Sequence, residues 1–168
     1  MNSRAKGASF ERLLVKMILE ATGLGKDHCY RTPLSGGHAQ YRNDQPGDLF
    51  ISDTLFEMFP FVVEAKHNRT WRPGVMFEPR KQERDWLAQV WRDSARGRDG
   101  ASPLLVMRGN GTEIFAAATG TAFQRLLGWS PITLPHLVFR YEEATWVMTR
   151  FENVLKYIPV DDDVQEES

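Results

Sequence analysis

Glu64 and Lys66 close the most apolar stretch of the chain, Phe61-Val62-Val63-Glu64-Ala65-Lys66. Side chains of a strand alternate between its faces, so Phe61, Val63 and Ala65 share one face while Val62, Glu64 and Lys66 share the other. A carboxylate and an ammonium therefore stand side by side where a core strand emerges. An E-x-K triplet alone is a common strand-end ion pair. Its weight grows with Gly47-Asp48-Leu49-Phe50-Ile51, which starts the preceding strand and can pair beside it. An Asp after Gly also serves simply as a turn residue. Two carboxylates and a lysine on adjacent strands, however, can hold a hard cation through oxygen ligands. A bound Mg²⁺ would neutralise charge building on a phosphodiester and acidify its water, while the lysine orients or helps deprotonate the nucleophile. The chemistry is phosphodiester hydrolysis.

Glu11 adds a third carboxylate. It precedes Leu14 and Ile18 by three and seven residues, on or at the border of an apolar helical stripe, where an inward-leaning acid needs a partner. Two readings stay open: a functional role, or a first-turn Glu facing the helix dipole with Ser9 as N-cap.

These residues need elements to position them. Phe10, Leu13, Leu14, Met17, Ile18 and Ala21 predict a helix from about Ser3 to Thr22 that stops at Gly23. His28 to Thr32 predicts a short strand, and residues 33–47 a Gly- and Pro-rich loop. Strands follow at Asp48 to Ser52 and Phe59 to Lys66, joined by a short turn through Asp53 and Thr54. A helix is expected from Pro79 to Arg96 with Leu87, Val90, Trp91 and Ala95 inward. Then PLLVMR, the Gly109-Asn110-Gly111 turn and TEIFAAA form a hairpin. A short helix around Phe123 to Leu127, strands LVFRY and TWVMTR, and a helix from about Phe151 to Tyr157 complete the order. The fold class expected is α/β, a mixed central β-sheet flanked by α-helices.

Length and composition allow one domain. With 168 residues, 42% hydrophobic and 26% charged, the chain can bury a core without disulfide or metal staples, which excludes a disordered or disulfide-built protein. We divide it into a domain over residues 1–158 and an acidic, disordered tail over 159–168. The one cysteine, Cys29, is expected as a small core residue and suits a reducing, intracellular setting. No stretch approaches the ~18 consecutive apolar residues of a membrane span, so no membrane partner is expected. His28, His38, His67 and His136 lack paired ligand spacing, which argues against zinc.

The net charge of -1 hides an asymmetry. Residues 1–110 carry 17 Lys and Arg against 13 Asp and Glu, and five of the remaining nine acids lie in the terminal DDDVQEES. A basic body permits a polyanionic partner. Arg69, Arg72, Arg80 and Lys81 lie on the segment leading from the candidate site, with Trp71 and Phe77 interleaved, and this segment is expected to contact phosphates. On the next helix, Arg92 and Arg96 serve equally as DNA contacts or as a solvated face.

Helix Glu11, then Asp48, then Glu64-x-Lys66 resembles the PD-(D/E)xK nuclease superfamily, whose fold is restriction-endonuclease-like. The closer resemblance is to archaeal-type Holliday junction resolvases. It rests on Arg4, Lys6 and Gly7 leading into Phe10-Glu11-Arg12, then Arg31, Ser35-Gly36, Asp48 and Val63-Glu64-Ala65-Lys66, over about the first two thirds of the chain. The resemblance implies that Glu11, Asp48, Glu64 and Ala65 bind Mg²⁺, with Mn²⁺ able to substitute. It also implies that Lys66 assists the attacking water and that Ser35 contributes to cleavage. By the same resemblance Arg4, Lys6, Arg12, Arg31, Ser35 and Gly36 join the DNA contacts. The sequence departs from the pattern twice. The usual Pro before Asp is Gly47, with Pro46 one residue earlier, and the loop from Ser35 to Asp48 is longer than in the archaeal type.

The function expected is a Mg²⁺-dependent endodeoxyribonuclease that resolves four-way DNA junctions as a homodimer, in the cytoplasm of a prokaryotic or phage-infected cell. Its rivals are a nuclease of the same fold acting on duplex or flap DNA, and a DNA-binding protein that keeps the fold without cutting.

Overall fold

The computed structural model describes residues 3–32, 46–128 and 135–158. The elements in chain order are α1 (Ser3–Thr22), β1 (Cys29–Arg31), β2 (Leu49–Ile51), α2 (Asp53–Met58), β3 (Phe61–His67), a 3-10 turn (Pro73–Phe77), α3 (Lys81–Ala95), β4 (Ser102–Arg108), β5 (Ile114–Thr119), α4 (Gly120–Leu127), β6 (His136–Tyr141), β7 (Ala144–Arg150) and α5 (Phe151–Leu155). Among the described residues, five strands form a mixed sheet in the order β3-β4-β5-β7-β6, with β3 and β4 parallel and the other pairs antiparallel. This is the expected α/β architecture, a mixed central sheet flanked by helices, consistent with a restriction-endonuclease-like fold. Ser35, Gly36 and the rest of their loop, and the 159–168 tail, lie outside the described residues.

Alternation along the strands builds a core on each face of the sheet. Leu104 and Val106 of β4 point to the layer of Phe10, Leu14 and Ile18 from α1 with Phe151 and Val154 from α5. Leu105 and Met107 point to Leu87 and Val90 of α3, Trp71 and Trp146. A strand buried on both faces needs the continuous apolar run that β4 has. Parallel β3 and β4 require a crossover, and α3 supplies it, packed on both strands. The spacing of Phe10, Leu14 and Ile18 makes α1 amphipathic, and Gly23 ends it at φ 71°. Cys29 is buried as expected, and burial pushes its thiol up to about 12.

Three expectations are corrected. The turn through Asp53 and Thr54 is the helix α2: Ser52 caps it by accepting Leu55 N–H at 3.2 Å, and Leu55 is fully buried, so a local cap and an apolar anchor together favour helix. The strand after it starts at Phe61, beyond Pro60. Second, β2 does not join the sheet beside β3. It pairs antiparallel with β1 in a separate ribbon, Cys29 opposite Ile51 and Arg31 opposite Leu49. Third, α3 buries Leu87 and Val90, but Trp91 and Ala95 are exposed while Glu83 and Asp93 are buried. Each residue turns a helix by roughly 100°, so Trp91 falls beside the core stripe, where it leans on Trp146 with ring centroids 6.0 Å apart. No helix among the described residues is long and apolar enough to cross a membrane.

Candidate active site

β3 passes from core to rim within its own length. Phe61 to Glu64 are buried, and Ala65, Lys66 and His67 are half-buried. Glu64, 2% exposed, and Lys66 share the face turned to α3, as the period of two requires. Lys66 Nζ donates to Glu64 Oε1 at 2.5 Å and to Gln89 Oε1 on α3 at 3.0 Å.

Asp48 comes to β3 from the ribbon. Its N–H donates to the Val63 carbonyl at 2.8 Å, and its Oδ2 accepts the Ala65 N–H at 2.8 Å. Gly47 makes this approach possible. Its φ is 100°, and a Cβ there would lie 2.9 Å from the Val63 oxygen and 3.0 Å from Val62 Cγ1. Proline, locked near φ −65°, cannot take that conformation, so position 47 excludes the Pro of the family pattern.

The acids strain one another. Burial pushes Asp48 above the usual carboxylate range, the Ala65 N–H bond opposes that, and the charge of Glu11 adds to it; Lys66 lowers it and Asp93 raises it again. Glu64 rises to about 7, first through burial, then through the charge of Asp48, against the charge and hydrogen bond of Lys66. Glu11 and Asp93 have their own arginines, Arg31 and Arg96, so among the described residues Lys66 is the cation left to offset the buried pair Asp48 and Glu64.

Glu11 is buried in α1 and accepts from Arg31 Nε. Because α1 starts at Ser3, Glu11 lies more than two turns inside it, so the first-turn reading with Ser9 as N-cap is overturned. Arg31, expected at DNA, is the partner that the buried acid required. Asp48 and Glu64 are thus brought together, while Glu11 lies close enough for its charge to reach Asp48 but is tied to Arg31. Among the described residues no group of three or more His, Cys, Asp or Glu forms a cluster able to hold a metal. The Asp48 and Glu64 pair still fits a small hard cation. Mg²⁺ is commonly held by one or two carboxylates, with water and substrate phosphate completing its shell, and its charge would relieve the repulsion just described.

Of the basic residues, Arg12, Arg69, Arg72, Arg80 and Lys81 are exposed and Lys6 is half-buried. Arg72 Nη1 donates to the Trp71 carbonyl at 2.8 Å. Trp71 is core, 3% exposed, whereas Phe77 projects into solvent. Arg4 lies in α1. Arg96 is bound to Asp93. His67 contacts Asn110 Oδ1 at 3.2 Å, and its ring lies 5.7 Å from that of Phe10.

Sequence reasoning missed Gln89 and Asp93. They stand four apart on α3, a spacing that places them on one helix face. Asp93 is 9% exposed, and its charge reaches both Asp48 and Glu64. The readable signal was that spacing on the crossover helix next to an E-x-K strand; in composition both looked like solvated surface.

A family model described as "Phage putative PDDEXK endonuclease" matches residues 2–162. No curated protein and no solved structure matches the chain.

Proposed function

The chain belongs to this family of phage PD-(D/E)xK endonucleases, and we propose, beyond what membership alone gives, that it is a Mg²⁺-dependent endodeoxyribonuclease that resolves four-way DNA junctions by paired cuts. One observation carries the chemistry: Asp48 and Glu64, both buried, are held at one strand end with Lys66 on Glu64. Asp48 and Glu64 would hold Mg²⁺, or Mn²⁺ in its place. When bound, the ion supplies neutralising charge for the phosphodiester and an acidified water. Lys66 orients the attacking water and steadies the charge developing on phosphate. The burial that raises the acids also excludes bulk water, so each charge acts at short range in a low dielectric. Arg69, Arg72, Arg80 and Lys81, exposed beside the end of β3 and the start of α3, would contact the DNA backbone.

The junction as substrate rests on the order Glu11-Arg12, Ser35-Gly36, Asp48, Glu64-Ala65-Lys66. In this reading Ser35 and Gly36 act at the scissile strand, and residues 1–158 form the nuclease domain. Two symmetric cuts require two sites related by rotation, so the active species is a C₂ homodimer. The test is purified protein with labelled four-way junction, flap and linear duplex, in Mg²⁺ or EDTA. Opposed nicks in the junction, dependent on Mg²⁺, support the reading. Sequence-dependent cutting of linear duplex with the junction ignored, or an active monomer, would leave a nuclease of another task. Absence of cutting on every DNA would leave a binding protein.

A further inference from the structure

The second partner of Lys66 comes from α3, an element that contributes nothing to the E-x-K pattern. Lys66 Nζ donates to Oε1 of Gln89 at 3.0 Å as well as to Glu64. An ammonium has no acceptor capacity, so the oxygen of the amide must face it. Gln89 itself is half-buried and flanked on the helix by fully buried Leu87 and Val90, which pack α3 on the sheet. Its backbone is therefore positioned by core packing and not by the site. A neutral acceptor also suits its surroundings. A carboxylate there would join Asp48, Glu64 and Asp93, whose charges already oppose one another.

We infer that Gln89 is a positioning residue for phosphodiester cleavage: its side-chain oxygen fixes the Lys66 ammonium against Glu64, leaving one N–H for the attacking water or the scissile phosphate. The inference rests on the nuclease reading above. Without Gln89 the ammonium keeps Glu64 alone and swings about that bond, so the lysine stays charged and present but spends less time where the reaction needs it. Binding of DNA, which depends on exposed cations elsewhere, is unaffected.

The experiment uses the full chain with Mg²⁺ and the DNA it cuts best. Gln89→Leu should lower kcat about tenfold, the size of one charge-assisted hydrogen bond, with KM unchanged. Gln89→Glu, which returns an acceptor oxygen at the same reach but adds a charge beside Asp48, Glu64 and Asp93, should recover part of that loss and not all of it. A second readout needs no cleavage. In a ¹H–¹⁵N spectrum of the lysine ammonium groups, the Lys66 signal, identified by its loss in Lys66→Ala, should move in Gln89→Leu and return in Gln89→Glu. Gln89→Ala replaces Gln89→Leu if the latter lowers the melting temperature. Wild-type cutting that Lys66→Ala abolishes but Gln89→Leu leaves at full rate overturns the role of Gln89 and leaves the nuclease standing. So does a loss of kcat that Gln89→Glu fails to rescue while the Lys66 signal stays in place. If the wild type cuts no DNA while the signal moves as expected, the nuclease reading has failed and the catalytic role of Gln89 falls with it, although the contact is real.

Discussion

The carboxylate of Asp48 accepts the backbone N–H of Ala65 at 2.8 Å, so an acid delivered by the β1–β2 ribbon is fastened to the strand that carries Glu64. The Asp48 N–H on the Val63 carbonyl makes the attachment two-point. Ribbon and sheet cannot slide apart without breaking both bonds. The main chain thus holds together two acids that burial, with the charges of neighbouring acids, pushes above the ordinary carboxylate range.

Removing any member of this constellation should remove chemistry and not packing. Asp48→Asn, Glu64→Gln and Lys66→Ala are each expected to lower cleavage by roughly a thousandfold or more while circular dichroism stays that of wild type. Glu64→Gln should also raise the metal-free melting temperature at pH 8, because a buried charge beside Asp48 has gone. Folded variants that cut near the normal rate would refute the assignment.

The same repulsion predicts how stability varies with pH. Glu64 rises from its usual 4.5 to about 7 on folding, so the native state holds a proton more tightly than the unfolded chain. Stabilisation from this group is complete below about pH 4.5 and is lost as pH rises through 7, on the order of 3 kcal/mol. Denaturant melts in EDTA should therefore show stability falling across that window, and Mg²⁺ should flatten the fall. A Glu64→Gln variant with the same pH profile as wild type would disprove it.

Gly47 tests the delivery of Asp48. Gly47→Ala places a Cβ 2.9 Å from the Val63 oxygen at φ 100°; it should cost about 1–3 kcal/mol and reduce cleavage by moving the carboxylate. Gly23→Ala is the control. That residue also has positive φ, 71°, but open space around it, so about 1 kcal/mol and no effect on cleavage are expected. Equal effects on cleavage from the two variants would separate Gly47 from the site.

DNA affinity should fall steeply with salt, and Arg69→Ala with Arg72→Ala should reduce the slope of log K against log salt by up to about 2. Asp48→Asn should bind DNA at least as tightly as wild type, since a repelling charge is removed. Fluorescence anisotropy over a salt series measures both, and a flat titration would remove the basic DNA face.

Some of this was legible from local rules. The alternation that sends Glu64 and Lys66 to one face follows from strand geometry alone, and the helix of Phe10, Leu14 and Ile18 from the helical period. The Gly109-Asn110-Gly111 turn between β4 and β5 was legible in its residue types, although the fold also holds it against the segment after β3, where the Asn110 N–H donates to the Arg69 carbonyl at 3.2 Å. The Ser52 cap of α2 is local as well, and the expectation of a short turn there did not take it into account. What tertiary structure alone decided are the partners: Arg31 on Glu11, twenty residues away, Gln89 on Lys66, the burial of Asp93, and β2 paired with β1 while Asp48 reaches β3. A polar side chain can be satisfied by any complementary group the fold brings near. Periodicity says which face a residue occupies, but only the packing of α3 and the ribbon against the sheet determines which face meets which.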